Sequence, residues 1–376
     1  MLEVAVIGGG IVGASTAYHL VRRGARVTVV DRSDAGQATL AGAGILPPLD
    51  HFGGSEAILP LLRAARAHYP ELVRALWDEG QKDTGYAVVG SLQVALDETE
   101  AEGLRALARE AVAWRDAGFG HIGEVSEFDA SEALRRCPLL GPRIVAALHC
   151  SGAARIDGRR LLAALRAAFC ERGGRWLRGH AELVSSAERV THVALDNQKF
   201  AVDAAVLAGG AWTRSVAELC GALVPVRPQK GQLIHLEVDR VDTASLPIVM
   251  GLGWNYLVGF PEQRVVVGAT REDAAGLDPR ITAGAVQHVL DNAFRIAPSL
   301  AQSTLCEVRT GFRPVSADGL PILGAVPSCE NLYVATGHGG YGLELGPFSG
   351  ALLADRIVGI TPAVNLAPFG LARFAR

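Results

Sequence analysis

Apolar and β-branched residues fill the stretch Leu2 to Ile7, three glycines follow, and from Ile11 to Arg23 the apolar positions recur at helical spacing. That order predicts a strand, a glycine turn and a helix. A second apolar strand, Ala25 to Val30, ends on the acid Asp31. Between His51 and about Pro142 the pattern turns to alanine- and leucine-rich helices, Ala57 to Glu79 and Glu98 to Ala117, around a short strand at Ser91 to Ala95. Leu59, Leu62, Ala65 and Tyr69 make an apolar face there that reads as core packing. An amphipathic helix follows at Gly158 to Arg172, then strands at Gly174 to Leu177 and Ala181 to Val184. Phe200 to Gly210, FAVDAAVLAGG, reads as a buried strand running into two glycines, with a helix start near Trp212. Trp254 to Phe260 and Arg264 to Ala269, split by Pro261, Glu262 and Gln263, predict antiparallel strands, and Asp278 to Ala297 a helix returning towards the first lobe.

At 376 residues the chain exceeds one compact core and suits two lobes. A formal net charge of −3 with interspersed charges gives no basic face, which argues against a nucleic-acid partner. Cys137, Cys150, Cys170, Cys220, Cys306 and Cys329 lie far apart without a CxxC or Cys/His cluster, so neither a zinc site nor a disulfide framework is expected. A reducing, cytoplasmic setting fits this usage. The first strand begins almost at once, leaving no room for a signal peptide, and no stretch has the apolar length of a membrane span.

The opening motif has a mechanical reading. In VAVIGGGIVG, Gly8 permits the tight turn, Gly10 lets a pyrophosphate approach the backbone, and Gly13 lets the helix pack on the strand. The helix start at Ile11 and Val12 offers unpaired N–H groups and a positive dipole end, and Asp31, followed by Arg32, is placed to receive an adenosine ribose. The run QATLAGAGIL, Gln37 to Leu46, either lets a planar ligand approach the backbone or is a glycine loop.

Together these features resemble the FAD-dependent D-amino-acid oxidase superfamily, on its glycine oxidase and amino-acid dehydrogenase side. Three later stretches carry the resemblance further: RPQKGQLIHLE at Arg227 to Glu237, EVRTGFRPVSADGLPILG at Glu307 to Gly324, and NLYVATGHGGYG at Asn331 to Gly342. It implies an α/β, overall α+β, chain with a Rossmann-like FAD lobe (1–50, 143–222 and 306–376). A discontinuous substrate lobe, 51–142 and 223–305, is then built on an antiparallel sheet with helices. FAD, held noncovalently, would meet Thr39, Ala41, Gly42, Ala43, Gly44 and Ile45, the backbone near Val184, and the turn Ala208, Gly209, Gly210 and Trp212. Its flavin ring would lie at Gly337, His338, Gly339, Gly340, Tyr341, Gly342 and Leu343, whose N–H groups and helix dipole can stabilise negative charge.

The resemblance also implies the reaction: oxidation of the amine of a small amino acid (glycine, a D-amino acid or an N-substituted one) by hydride transfer from the α-carbon, giving an imine that hydrolyses. A 2-hydroxy-acid dehydrogenase of the same superfamily and a non-catalytic flavin module are the competing readings. No triad or paired acid and base is required, because the cofactor carries the redox chemistry. Arg313 is the matching carboxylate-binding guanidinium. Tyr256 either closes over the substrate, as in family members, or is an ordinary sheet tyrosine. Some glycine oxidases carry a second carboxylate-binding arginine in the flavin turn, where Gly340 stands here. Arg309 is therefore expected as a substitute, and Glu344 either complements a helix dipole or meets a cationic group of the substrate.

Overall fold

The computed structural model describes residues 1–48, 56–186, 188–196, 198–218, 221–251 and 255–375. Trp254 and Cys220 lie outside them. The fold is mixed α/β and rests on two large sheets. The first has six strands in the order Ile322–Val326, Cys329–Thr336, Ala204–Leu207, Glu3–Ile7, Arg26–Asp31 and Arg175–Arg178, parallel except for its first pair. Helices cover one face of its centre and the small meander over residues 181–201 much of the other, which is why Val4 to Val6 and Val27 to Val30 are continuously buried rather than alternating. The helix Ile11–Arg22 packs against Gly342–Ile357 so closely that a Cβ on Gly350 would lie 2.6 Å from the Thr16 nitrogen. Both helices begin at the crevice outside the strands' carboxyl ends, where open α/β sheets bind ligands.

The second sheet has eight strands in the order Thr304–Ser316, Val226–Glu237, Arg264–Gly268, Tyr256–Phe260, Ile248–Gly251, Ser91–Ala95, Ala146–Cys150 and Val125–Asp129. It is antiparallel except where Ile248–Gly251 runs beside Ser91–Ala95. The helix Ala283–Ile296 covers one face, setting Val289, Ala293 and Ile296 in one core with Ile234, Leu257 and Val267. It therefore stays with this sheet instead of returning to the first. It also starts later than its pattern suggests, because the Asp278 carboxylate holds the Arg280 backbone and guanidinium in a turn.

Sheet and core membership depart from the expected lobes at three places. Leu59–Asp78 buries Leu61, Leu62 and Ala65 among Val4, Val29 and Leu352, and buries Tyr69, Leu72 and Leu76 against Ile11 and Tyr18. Periodicity marks such a buried face but not which sheet's helices bury it. Ala146–Cys150 and Thr304–Ser316, placed in the cofactor lobe by motif order, pair in the eight-stranded sheet. No helix among the described residues is long and apolar enough to cross a membrane.

Candidate active site

A single cavity runs from the first glycine turn to the eight-stranded sheet. At its nucleotide end, Gly8 adopts φ +107° and a Cβ there would lie 2.4 Å from the Ala208 carbonyl oxygen, so the turn and the second glycine strand end touch backbone to backbone. Gly13 sits behind, where a Cβ would meet the Gly8 oxygen at 1.9 Å. Gly10 differs: nothing comes within 3.4 Å of its absent Cβ, and its face opens on the cavity. The helix that follows has no side-chain cap and no acid in its first turn, and among the described residues only Thr39 reaches its start, accepting from the Ile11 N–H at 2.9 Å. Its start thus remains an electropositive cradle for phosphate. Asp31 accepts from the Gly9 N–H at 2.6 Å through Oδ2 and from the Ser33 N–H at 2.7 Å and the Gln37 amide at 3.0 Å through Oδ1, which fixes its carboxylate at the cavity wall and leaves acceptor capacity on Oδ2 alone. Arg32 sits at the rim, paired with Asp34.

The long strand Thr304–Ser316 joins the two ends. The Phe312 N–H donates to the Gly36 oxygen at 2.9 Å, Gly311 leaves room for Ala41, and Val315 bridges to His338. The small-residue run expected at the cofactor is therefore clamped between this strand and the flavin turn. Ala43 and Ile45 pack on the core around Leu233 and Val258. His338 is buried; its Nε2 lies 3.0 Å from the Ser349 hydroxyl, whereas Nδ1 finds no hydrogen-bond partner among the described residues. Burial lowers its pKa to about 4, so the ring is neutral at neutral pH. The open Gly10 cradle, the bare helix start and the orphaned His338 nitrogen on one cavity wall fit a dinucleotide with a polar ring system.

At the sheet end, Arg313 donates from Nη1 to the Thr270 oxygen at 3.1 Å. Its guanidinium lies over Gly231, where a Cβ would come within 2.5 Å of it, and its aliphatic stem passes Gly340. Tyr256 projects its phenol over Gly268 on the neighbouring strand, and burial raises its pKa to about 12 despite the Arg313 and Arg271 charges nearby. The phenol therefore keeps its proton as a hydrogen-bond donor at neutral pH. Enclosure lowers the pKa of both Arg313 and Arg271.

Of the residues expected at the cofactor, Gly13, Val184, Gly337 and Tyr341 do not line this cavity, and all the others do. Val184 belongs to the three-stranded meander that begins at Ala181, and its oxygen accepts from Thr191; Gly179, His180 and Ala181, at the end of the strand beside Asp31, take its place. Gly337 shapes the turn from behind with φ +76°. Cys306 is exposed on its strand, and no cysteine among the described residues lines the cavity.

Two expected substrate contacts lie elsewhere. Glu344 is buried in the first turn of its helix, 2.5 Å from the Nε of the buried Arg66. Arg309 binds Glu307 at 2.8 Å beside the Leu40 oxygen. Sequence reasoning missed Arg271, which lines the cavity close to Tyr256, Tyr341 and Arg313. The available signal was an arginine just past the apolar strand Arg264–Gly268, the neighbour of the Tyr256 strand. Glu344→Gln and Arg309→Ala should both leave the ranking of substrates unchanged in a kcat/KM panel. Glu344→Gln should instead destabilise the protein by about 3 kcal/mol, seen as a lower melting temperature, because it strands a buried guanidinium.

The comparisons with known proteins bear on the family and the fold. The model of the FAD dependent oxidoreductase (DAO) family matches residues 3–356. An uncharacterized oxidoreductase of Bacillus subtilis (strain 168), YurR, is 39% identical over 370 residues, covering 98% of each chain. The glycine oxidase of Pseudomonas putida (strain KT2440) is 32% identical over 98% of this chain and 97% of its own. Among solved structures, the iminodiacetate oxidase IdaA of Chelativorans sp. BNC1 superposes with a TM-score of 0.90 at 36% identity, covering 98% of both chains. The chain belongs to the FAD dependent oxidoreductase family, as an enzyme with FAD as its cofactor.

Proposed function

We propose that this enzyme oxidises the amine of a small amino acid: glycine, a D-amino acid or an N-substituted amino acid. The observation that carries the reading is Arg313, a partly enclosed guanidinium in the same cavity as the flavin turn, with Tyr256 beside it. A planar fork fixes both the position and the orientation of a substrate carboxylate. FAD supplies the acceptor for the hydride of the α-carbon. Arg313 and the Tyr256 phenol hold the carboxylate, and the wall of Gly231, Leu233 and Ala269 keeps water from the reacting face. Loss of hydride and of one amine proton leaves an imine, and water splits it into a carbonyl acid and ammonia or an amine. The similarity to glycine and iminodiacetate oxidases supports an amine over an alcohol.

Product analysis separates the two. Amino-acid turnover should release one ammonia or amine per carbonyl acid, and 2-hydroxy acids should be inert; turnover of 2-hydroxy acids with no nitrogen released would reject the proposal.

The site also fixes a pH dependence. His338 titrates near 4 and Tyr256 near 12, so neither changes charge between about pH 6 and 10. The kcat/KM profile should rise along one limb set by the substrate's own amine, moving when the substrate is changed. A limb near pH 6.5 common to all substrates would implicate an enzyme imidazole.

A further inference from the structure

Among the described residues, the Arg313 side chain makes a single hydrogen bond, from Nη1 to the Thr270 oxygen at 3.1 Å. A long side chain held at one point keeps its other donors for a ligand, and its direction is only as fixed as the carbonyl that holds it. Whatever fixes Thr270 therefore bears on the carboxylate site.

Thr270 opens an irregular segment, residues 270–282, between the strand Arg264–Gly268 and the helix Ala283–Ile296. The segment starts along the strand Val226–Glu237, where Lys230 and Glu272 exchange two backbone hydrogen bonds at 3.1 and 2.9 Å. The Thr270 N–H donates to the Gln232 oxygen at 3.1 Å. Its hydroxyl accepts from the Gln232 N–H at 2.9 Å and donates to Glu272 Oε1 at 2.6 Å. The Gln232 side-chain amide then ties the two ends of the segment together. Nε2 donates to Glu272 Oε1 at 2.8 Å and to the Thr282 hydroxyl at 3.3 Å, while Oε1 accepts from the Thr282 N–H at 3.0 Å. The amide fits only this way round, with a carboxylate oxygen at one end and a backbone N–H at the other. Gln232 and Thr270 are both buried, and Gln232 lines the cavity next to Gly231, over which the Arg313 guanidinium lies. A buried network matched in this way holds one arrangement, because rearranging it strands a polar group.

We propose that Gln232 is a positioning residue for the substrate carboxylate: its amide clamps both ends of residues 270–282, and so fixes the Thr270 carbonyl and through it the Arg313 guanidinium. This rests on the reading of Arg313 given above. A guanidinium oriented in advance spends less conformational freedom when the carboxylate arrives, and it sets the α-carbon at the same place in every turnover. The phosphate cradle at the Gly8 to Gly13 turn lies at the other end of the cavity, so the clamp acts on substrate and not on FAD.

The test uses the FAD-loaded enzyme and two readouts: propionate binding followed by the flavin absorbance shift, and anaerobic flavin reduction by glycine, sarcosine and D-alanine. Gln232→Glu removes the amide donor and sets a second carboxylate against Glu272. It should weaken propionate binding by about 10- to 30-fold and raise KM by a similar factor, with a smaller change in kcat and none in FAD affinity. Gln232→Glu/Glu272→Gln exchanges amide and carboxylate between the two positions, so a donor again faces an acceptor, and most of the loss should be recovered. In the Arg313→Ala background, Gln232→Glu should cause no further loss, because no guanidinium remains to be oriented. Thr270→Val keeps the shape and removes the hydroxyl between Gln232 and Glu272. It should give a milder loss of about 3- to 10-fold that also vanishes in Arg313→Ala.

An equal further loss in Arg313→Ala would show that Gln232 and Thr270 act on the fold at large, and wild-type binding in both Gln232→Glu and Thr270→Val would show that the clamp is idle. Either result overturns the proposal and leaves the reading of Arg313 intact. Wild-type propionate binding in Arg313→Ala alone would remove that reading and this inference together. Coupled losses in propionate binding without flavin reduction by any amine would uphold the inference and remove the proposed reaction instead.

Discussion

Arg313→Ala is expected to lower kcat/KM for amino-acid substrates by roughly two to three orders of magnitude, mostly through KM, while the protein stays yellow. The size follows from the environment. Truncating one side of an enclosed, hydrogen-bonded charge pair costs about 3–4 kcal/mol, and each 1.36 kcal/mol is about a factor of ten. Retention of FAD follows from the placement of the guanidinium at the sheet end, far along the cavity from the Gly8 to Gly13 turn. Arg313→Lys should recover only part of the loss, because an ammonium restores charge but not the two parallel donors. Steady-state kinetics with flavin content measured on the same samples decides it. A variant that loses flavin along with activity would instead make Arg313 a cofactor residue.

Gly10→Val is expected to give folded, colourless protein with affinity for FAD reduced by more than about 100-fold. Gly10 has an ordinary φ of −69°, and the nearest heavy atom to its absent Cβ is 3.4 Å away, so the protein itself tolerates a side chain there. The space that the side chain would fill faces the helix start, where a pyrophosphate needs the backbone. Gly13→Val is the contrasting control. Its Cβ would lie 1.9 Å from the Gly8 oxygen, so that variant should fail in folding as well as in colour. Circular dichroism and FAD titration of the two variants separate cofactor contact from backbone packing.

The same contrast explains what the sequence made legible. Glycines at Gly8, Gly10 and Gly13 could be assigned separate roles because each reflects a local backbone constraint, and local constraints leave local marks. Strands such as Ser91–Ala95 were readable for the same reason, their period or apolar run being complete within a few residues. What failed depended on partners distant in the chain. Leu59–Asp78 showed a buried face, but Val4 and Leu352, which bury it, are known only from the fold. Glu344 read as complementing a helix dipole or meeting a cationic group of the substrate because its partner, Arg66, comes from a helix far upstream. Arg271 carried no motif at all. Its place on the cavity wall arises where a strand end meets Arg313 and the flavin turn, in a sheet whose order the sequence did not reveal. Val184 was a near miss: the strand Arg175–Arg178 runs out beside Asp31, so the residues just after it, and not those further into the meander, reach the cavity.

The most direct measurement is anaerobic mixing of the FAD-loaded enzyme with a panel of small amino acids and N-substituted amino acids, followed by admission of air. The flavin should bleach with at least one of these amines, release a carbonyl acid with ammonia or an amine in equal amount, and do so far more slowly in Arg313→Ala. A flavin that stays oxidised with every amine, or that bleaches as readily without Arg313, would contradict the assignment of this cavity to amino-acid oxidation.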